Sequence, residues 1–298
     1  MNILIAGASG FIGSALVQFL RGKGYKVARL VRSKDKLSED AIFWDPDQKK
    51  VNRGDLEGFD AVINLAGENI KGRWTNSKKE RLYKSRVETT RFLAESLEQL
   101  EKPPRVLINA SAIGFYGNNV KIPTNEKAGS GNDFLAKICK DWELATEKAE
   151  RAGIRVIHFR MGVVLSKDGG ALSTMLIPFK LGLGGKIGEG DQVMSWIALE
   201  DLLNAMNHLL IHPEVRGPVN IVAPEAVSNK EFTQTLGKIL NRPTFFSVPA
   251  FMVHFIFGEM GDSVLLGSTW AVPEVLEANQ FVFAYPTLSS ALTHILSK

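Results

Sequence analysis

Runs of apolar, mostly β-branched residues recur through the first two-thirds of the chain, at Ile3–Ala6, Val27–Val31, Ala61–Leu65, Val106–Ala110 and Val156–Phe159. Because nearly every position in these runs is apolar, they predict strands covered on both faces, as in a parallel sheet buried between layers. Between them the spacing changes to the helical period, which predicts helices near Ile12–Arg21, Lys78–Leu100 and Leu135–Ala152. Strand and helix in alternation predict an α/β protein with a doubly wound parallel sheet.

After Arg160 the texture changes. A glycine-dense segment, Gly169–Gly190, precedes a short strand at Trp196–Ile197 and a helix over Glu200–Ile211. From Pro243 the segments are shorter and more aromatic, and the chain closes on a helix near Ser289–Leu296. We read residues 1–165 as the sheet-bearing domain, its sheet completed by parts of 190–225, and 166–298 as a smaller C-terminal lobe with its own closing segment.

Composition narrows the function classes. With 298 residues, 45% apolar and 23% charged, the chain can bury a large core and is neither disordered nor fibrous. The formal charge of +4 is too small for a nucleic-acid partner without a concentrated patch. The densest basic run, Lys78, Lys79, Arg81, Lys84 and Arg86, has helical spacing among Glu80 and Glu88 and reads as a solvated helix face. A single cysteine, Cys139, excludes an intrachain disulfide and points to a reducing compartment. The longest apolar run, Phe251–Phe257, is broken by His254 and falls short of the ~18 residues a membrane span needs. The first strand starts at Asn2, which leaves no room for a leader, so a cytoplasmic location is expected.

The first strand runs straight into a glycine turn, Gly7, Gly10 and Gly13, that opens a helix. Such a turn leaves unpaired N–H groups at the helix start, where they can hold a phosphate, and lets helix pack on strand. Its place between strand and helix predicts a Rossmann-type dinucleotide site; an ordinary structural turn is the alternative. The second strand ends at Val31–Arg32 with no carboxylate before Asp35. An arginine there suits a 2′-phosphate, which favours NADP(H) over NAD; a solvent-facing arginine is the other reading. Further on, VINLAGENI brings the small residues Ala66 and Gly67 to a strand end, where the backbone can lie close to a ribose. The histidines, His158, His208, His212, His254 and His294, show no metal-ligand spacing, so no metal centre is expected.

With GASGFIG, NLAGENI, KSRVETT, SAIGFYG, GVVLSKDGGAL, PFKLGLGGKIGEG, SWIALEDL and GPVNIVAP in order, the chain resembles the atypical epimerase-like family of the extended short-chain dehydrogenase/reductase superfamily, across nearly its whole length. The resemblance implies a Rossmann-type domain, a smaller substrate lobe and bound NADP(H). It implies that Ser9, Gly10, Phe11 and Ile12 meet the diphosphate, that Arg32 meets the 2′-phosphate, and that Leu65 and Ala66 line the adenine-side ribose. It further implies that Arg86 contacts the cofactor where ordinary members carry an asparagine, and that Gly162–Val164 pass near the nicotinamide.

Members of the superfamily lower the pKa of a catalytic tyrosine with a lysine four residues on, one helical turn away. Here Tyr25, Tyr83, Tyr116 and Tyr285 are followed four residues later by Arg29, Val87, Val120 and Ser289. At the positions that should carry the pair stand Leu135 and Cys139, or one residue earlier Phe134 and Ile138. In compensation Ser111, at the strand end that holds the superfamily's catalytic serine or threonine, and Tyr116 are the candidate proton-handling residues. Two functions follow as expectations: an NADP(H)-dependent oxidoreductase or epimerase acting on a small carbonyl or sugar-nucleotide-like substrate under the Gly182–Gly190 loop, or a non-catalytic NADP(H)-binding sensor or scaffold.

Overall fold

The computed structural model describes residues 1–297. Its first strands are β1 (Asn2–Ala6), β2 (Lys26–Val31), β3 (Ala41–Asp45), β4 (Lys50–Val51), β5 (Ala61–Asn64), β6 (Val106–Ala112), β7 (Asn119–Thr124) and β8 (Arg155–Met161). An 8-stranded sheet has the order Gly217–Ile221, β8, β6, β5, β1, β2, β3, β4. Its pairings are parallel except for the edge hairpin β3–β4. The direction of winding reverses between β1 and β5, which leaves a crevice at the carboxyl ends of the strands.

The apolar runs form central strands because both faces are covered. Ile3, Ile5, Ile63, Ile108 and Phe159 face a core closed by helix α1 (Phe11–Gly22) and the helix Leu199–Ile211. Their neighbours Leu4, Ala6, Val62, Leu107 and Val156 face the opposite core. Along a strand successive side chains point to opposite faces, so each run feeds two layers at once. On that second face lie α2 (Asn76–Tyr83), α3 (Thr89–Glu98), α4 (Phe134–Leu144) and α5 (Glu147–Arg151).

Several elements depart from the sequence expectation. The long helix expected over Lys78–Leu100 is interrupted by a wide π turn at Lys84–Glu88. The helix expected over Leu135–Ala152 breaks at Ala145–Thr146, where the Thr146 hydroxyl donates to the Glu143 carbonyl at 2.7 Å. A helix, Gly170–Lys180, forms inside the glycine-dense segment despite Pro178. Asn229–Leu240, not anticipated from the sequence, is a helix that starts with a capping box of Ser228 and Glu231. Beyond the large sheet, β7 joins a 4-stranded sheet with the strands Ser268–Ala271, Val193–Met194 and Val227–Ser228. Among the described residues no helix is long and apolar enough to cross a membrane.

Candidate functional site

The turn between β1 and α1 sets Gly7 at φ 78°, a left-handed conformation that favours glycine. A Cβ there would also lie 2.6 Å from the Leu65 carbonyl, so β1 and β5 exits approach only because Gly7 has none. One helical turn later, a Cβ on Gly13 would fall 2.2 Å from the Gly7 oxygen. Gly10 caps α1 with no side-chain bond and no acid in the first turn. The Gly10 amide donates to Gly7 O at 3.1 Å, and Ser14 is the first amide to reach back to Gly10 O, at 2.9 Å. The amides of Phe11, Ile12 and Gly13 therefore emerge from the helix end without an intrahelical acceptor. An acid-free, uncapped helix start fits a diphosphate.

This turn opens on a cavity of about 960 Å³ whose lining includes Gly7, Ser9, Gly10, Val31, Arg32, Leu65, Ala66 and Gly67. Ser33 and Lys36 line the same cavity beside Arg32. Two nearby arginines, Arg21 and Arg29, share Asp40, whose carboxyl the Arg29 hydrogen bond holds well below the usual range. Arg32, by contrast, has no ion-pair partner among the described residues. A free guanidinium at the end of β2 has the chemistry to receive a phosphate. Phe11, Ile12 and Gly13 do not form the cavity wall; Gly13 supports the turn from beneath.

At the exit of β5 a buried polar network fixes the backbone. Asn64 Nδ2 donates to Thr90 Oγ1 at 2.8 Å and to Asn109 Oδ1 at 2.7 Å, while its own Oδ1 accepts from the Ala66 amide at 3.2 Å. Arg86, on the π turn, lies against Gly67, where a Cβ would meet its Cζ at 3.4 Å. Its Nη2 donates to the Glu68 carbonyl at 3.0 Å and its Cζ stands 5.3 Å from the Trp142 ring centre. Its Nη1 donates to the Leu82 carbonyl at 3.3 Å, no carboxylate pairs with it among the described residues, and it stands behind Gly67 rather than on the cavity wall. From the same loop Lys71 Nζ crosses to the lobe and donates to Gly170 O at 3.1 Å and Thr174 Oγ1 at 2.8 Å. The Phe11 ring fills the space that a Cβ on Gly169 would need, 2.4 Å away. Together Lys71 and Phe11 tie the helix Gly170–Lys180 to the rim of the turn.

Gly162 and Val163 are not brought to the cavity. Their amides donate to Ile221 O at 3.1 Å and Ser195 O at 2.9 Å, and the missing Cβ of Gly162 makes room for Ser195 O and Val222 at 2.7 Å. Their closeness serves the passage from β8 to the strand Val163–Ser166.

The two candidate proton-handling residues are engaged in a buried network. Ser111 is fully buried and its Oγ donates to Glu143 Oε1 at 2.7 Å. Glu143 is locked to Arg160 through two contacts, Nε to Oε1 at 2.8 Å and Nη2 to Oε2 at 2.7 Å. Arg160 Nη1 in turn donates to the Tyr116 hydroxyl at 2.9 Å, which donates to Asn220 Oδ1 at 2.8 Å. Burial pushes the Tyr116 hydroxyl up in pKa against the opposing pull of Arg160, the reverse of an activated acid–base tyrosine. Both hydroxyls thus belong to a core network with no open donor toward a substrate. In either register expected for the superfamily's pair, Leu135, or Phe134 with Ile138, has no proton to give, and burial pushes the Cys139 thiol up to about 12. Ser111→Ala is expected to lower stability by about 1–3 kcal/mol by removing one hydrogen bond to the charged, buried Glu143, with NADPH affinity preserved within about threefold. Thermal unfolding and calorimetric titration read the two quantities separately.

Lys36, Lys71, Glu143 and Arg160 were not among the expected site residues. Arg160 ends an apolar strand as an isolated charge, but nothing in the sequence singles out Glu143 over Asp141 on α4 as its partner. Lys71 carried no signal, because its partners lie in the lobe.

A parallel sheet that reverses between β1 and β5, a glycine turn at that point and a free arginine after β2 define an extended dinucleotide-binding protein with a C-terminal lobe. The chain belongs to the NAD-dependent epimerase/dehydratase family, whose model matches residues 3–222; a domain of unknown function matches 248–295. It is 40% identical over 297 residues to epimerase family protein Mb2239 of Mycobacterium bovis, covering 99% of this chain and 98% of that one. The crystal structure of human epimerase family protein SDR39U1 with NADPH superimposes with a TM-score of 0.92 at 34% identity, covering 100% of this chain and 99% of that one. A nucleoside-diphosphate sugar epimerase from Corynebacterium glutamicum gives a TM-score of 0.82 at 34% identity, 99% of this chain aligning with 58% of that chain.

Proposed function

We propose that the chain binds NADP(H) in the crevice at the carboxyl ends of β1, β2 and β5, and offers the nicotinamide to a small carbonyl or sugar-nucleotide-like substrate beneath the Gly182–Gly190 loop. The observation that carries this reading is Arg32: an unpaired guanidinium on the wall of a 960 Å³ cavity, next to an acid-free helix start. The likeness to a human protein crystallised with NADPH supports the same coenzyme. In this reading Ser9 and the amides of Gly10, Phe11 and Ile12 hold the diphosphate, with Gly7 and Gly13 shaping the turn. Arg32, following Val31, takes the 2′-phosphate; Leu65, Ala66 and Gly67 border the ribose; Arg86 meets the nicotinamide end. Gly162 and Val163, whose amides are spent on Ile221 and Ser195, lie outside this cavity and take no part in it. When bound, the coenzyme supplies hydride exchange with a carbonyl carbon.

A second reading, a non-catalytic NADP(H)-binding sensor, is favoured by one observation. Ser111 and Tyr116 are spent on the Glu143–Arg160 network, and Leu135 and Cys139 replace the tyrosine and lysine. Calorimetry tests the shared part. Arg32→Glu is expected to weaken NADPH binding by about 10- to 100-fold and leave NADH within about threefold; an unchanged preference between the two overturns the assignment. Stereospecifically deuterated NADPH with a panel of carbonyl compounds separates the two readings. Label transfer establishes turnover, and tight binding with no transfer across the panel favours the sensor.

A further inference from the structure

The cavity beside Arg32 is lined at the ends of β2, β1 and β5, and none of its lining residues lies beyond Thr89. It therefore suits the adenylate half of a dinucleotide, and the other half has to continue past Gly67 along the sheet, towards the ends of β6 and β8. Between the two halves the chain closes a ring of contacts. Its floor is Gly7 against the Leu65 carbonyl, where an added Cβ would stand at 2.6 Å. From Gly7 the turn leads to Phe11, whose ring packs against Gly169 and Gly170. The Gly170 carbonyl and Thr174 Oγ1 accept from Lys71 Nζ at 3.1 and 2.8 Å, and the loop from Lys71 leads back through Gly67 to Leu65. The circuit is complete, with the glycine turn on one side and the loop after β5 on the other.

We propose that Lys71 is the latch of this ring, and that NADP(H) enters and leaves only when Lys71 lets go of Gly170 and Thr174. The latch rests on NADP(H) being the ligand of the crevice and adds the path by which it arrives. A dinucleotide is bulky at both ends and narrow at its diphosphate, so neither end threads a closed ring; with the latch open, the diphosphate is laid in from the side. Lys71 is the one link that opens cheaply. The floor is main chain held by the sheet, and Phe11 is close-packed, whereas Lys71 is an exposed side chain holding two neutral acceptors that water can replace. The glycine-dense segment Gly182–Gly190, the other candidate gate, is fastened on both sides. The Ile187 amide donates to Asn229 Oδ1 at 2.8 Å, the Ile187 carbonyl accepts from Gln192 Nε2 at 3.1 Å, and the Gly188 amide donates to Val248 O at 2.8 Å. Its strand Gly185–Ile187 also pairs with Phe246–Val248. That segment is a fixed cover, and coenzyme exchange falls to the latch.

Stopped-flow fluorescence of NADPH with the full chain reads both rates. Lys71→Met removes the latch's donor and is expected to speed association and release alike, each by about 10-fold, with the dissociation constant within about threefold of wild type. Lys71→Arg reaches the same acceptors and should bring both rates back to within about threefold of wild type. Faster release alone, with a raised dissociation constant, would mean that Lys71 only adds affinity and overturns the latch, as would unchanged rates. Cross-linking tests the ring directly. In K71C/T174C a short bismaleimide joins the two positions, and the native Cys139 is buried out of its reach. Joined before NADPH is added, the ring should slow association by at least about 100-fold; joined afterwards, it should carry the coenzyme through gel filtration. The unjoined double variant is the folded control and should exchange like Lys71→Met. A joined protein that takes up and loses NADPH as fast as the unjoined one overturns the ring while leaving the coenzyme assignment intact. A wild type that binds no NADPH overturns that assignment and the latch with it.

Discussion

Glu143→Leu is expected to lower the stability of the protein by about 3–5 kcal/mol, a fall of roughly 6–15 °C in melting temperature. The leucine removes the only carboxylate that, among the described residues, meets Arg160, at 2.7 and 2.8 Å, and strands a guanidinium that is almost fully buried. It also takes away the acceptor of the Ser111 hydroxyl. Pairing the change with Arg160→Met should recover most of the loss, because a buried ion pair replaced as a unit by apolar groups costs little. A double variant as unstable as Glu143→Leu alone would mean that the destabilisation comes from packing rather than from the stranded charge. The pair also sets an acid limit. Burial alone would raise the Glu143 carboxyl, but hydrogen bonds from Arg160 and His158 and their charges overcome it and hold it at about 2, against 4.5 in its absence. A lowered folded pKa contributes stability in full above the unfolded value and loses it as pH falls toward the folded one. The stability gap between wild type and Glu143→Gln should therefore stay constant above about pH 4.5 and close as pH drops toward 2; a gap independent of pH in that window would refute the assignment.

Gly13→Val should cost NADPH affinity by at least about 100-fold. The added Cβ would stand 2.2 Å from Gly7 O and 2.9 Å from the Ala8 Cα, both main-chain atoms. No rotamer relieves such a contact; α1 must lift from β1, and the amides of Phe11 and Ile12 move with it. Gly22→Ala, at the far end of α1 where a Cβ meets nothing within 4 Å, is the control and should leave affinity intact. Equal titration isotherms for wild type and Gly13→Val would show that the diphosphate is held elsewhere.

Much of this architecture is legible in the sequence. The runs Ile3–Ala6 and Val106–Ala110 announced parallel strands because they lack a polar face, and the glycines announced the turn because only their spacing serves helix, strand and anion together. The lobe was less legible. Helix Gly170–Lys180 forms through glycine-rich sequence because Leu172, Leu176 and Phe179 find a core with Phe232 and Leu292 from distant segments, and no local pattern contains those partners. Ser111 and Tyr116 illustrate the same limit from the other side. Residue type admitted them as catalysts, whereas their hydroxyls are claimed by Glu143, Arg160 and Asn220, which converge from a helix and two strands.

The Phe11 ring has a mechanical consequence. It is the first residue of α1 and at the same time the platform under the Gly169–Gly170 turn. A displacement of a few tenths of an ångström at the start of that helix is passed directly to the lobe, with no compressible layer between. Cradle and roof are thus geared to one another, and the height of the roof above the crevice reads out how firmly the cradle is filled.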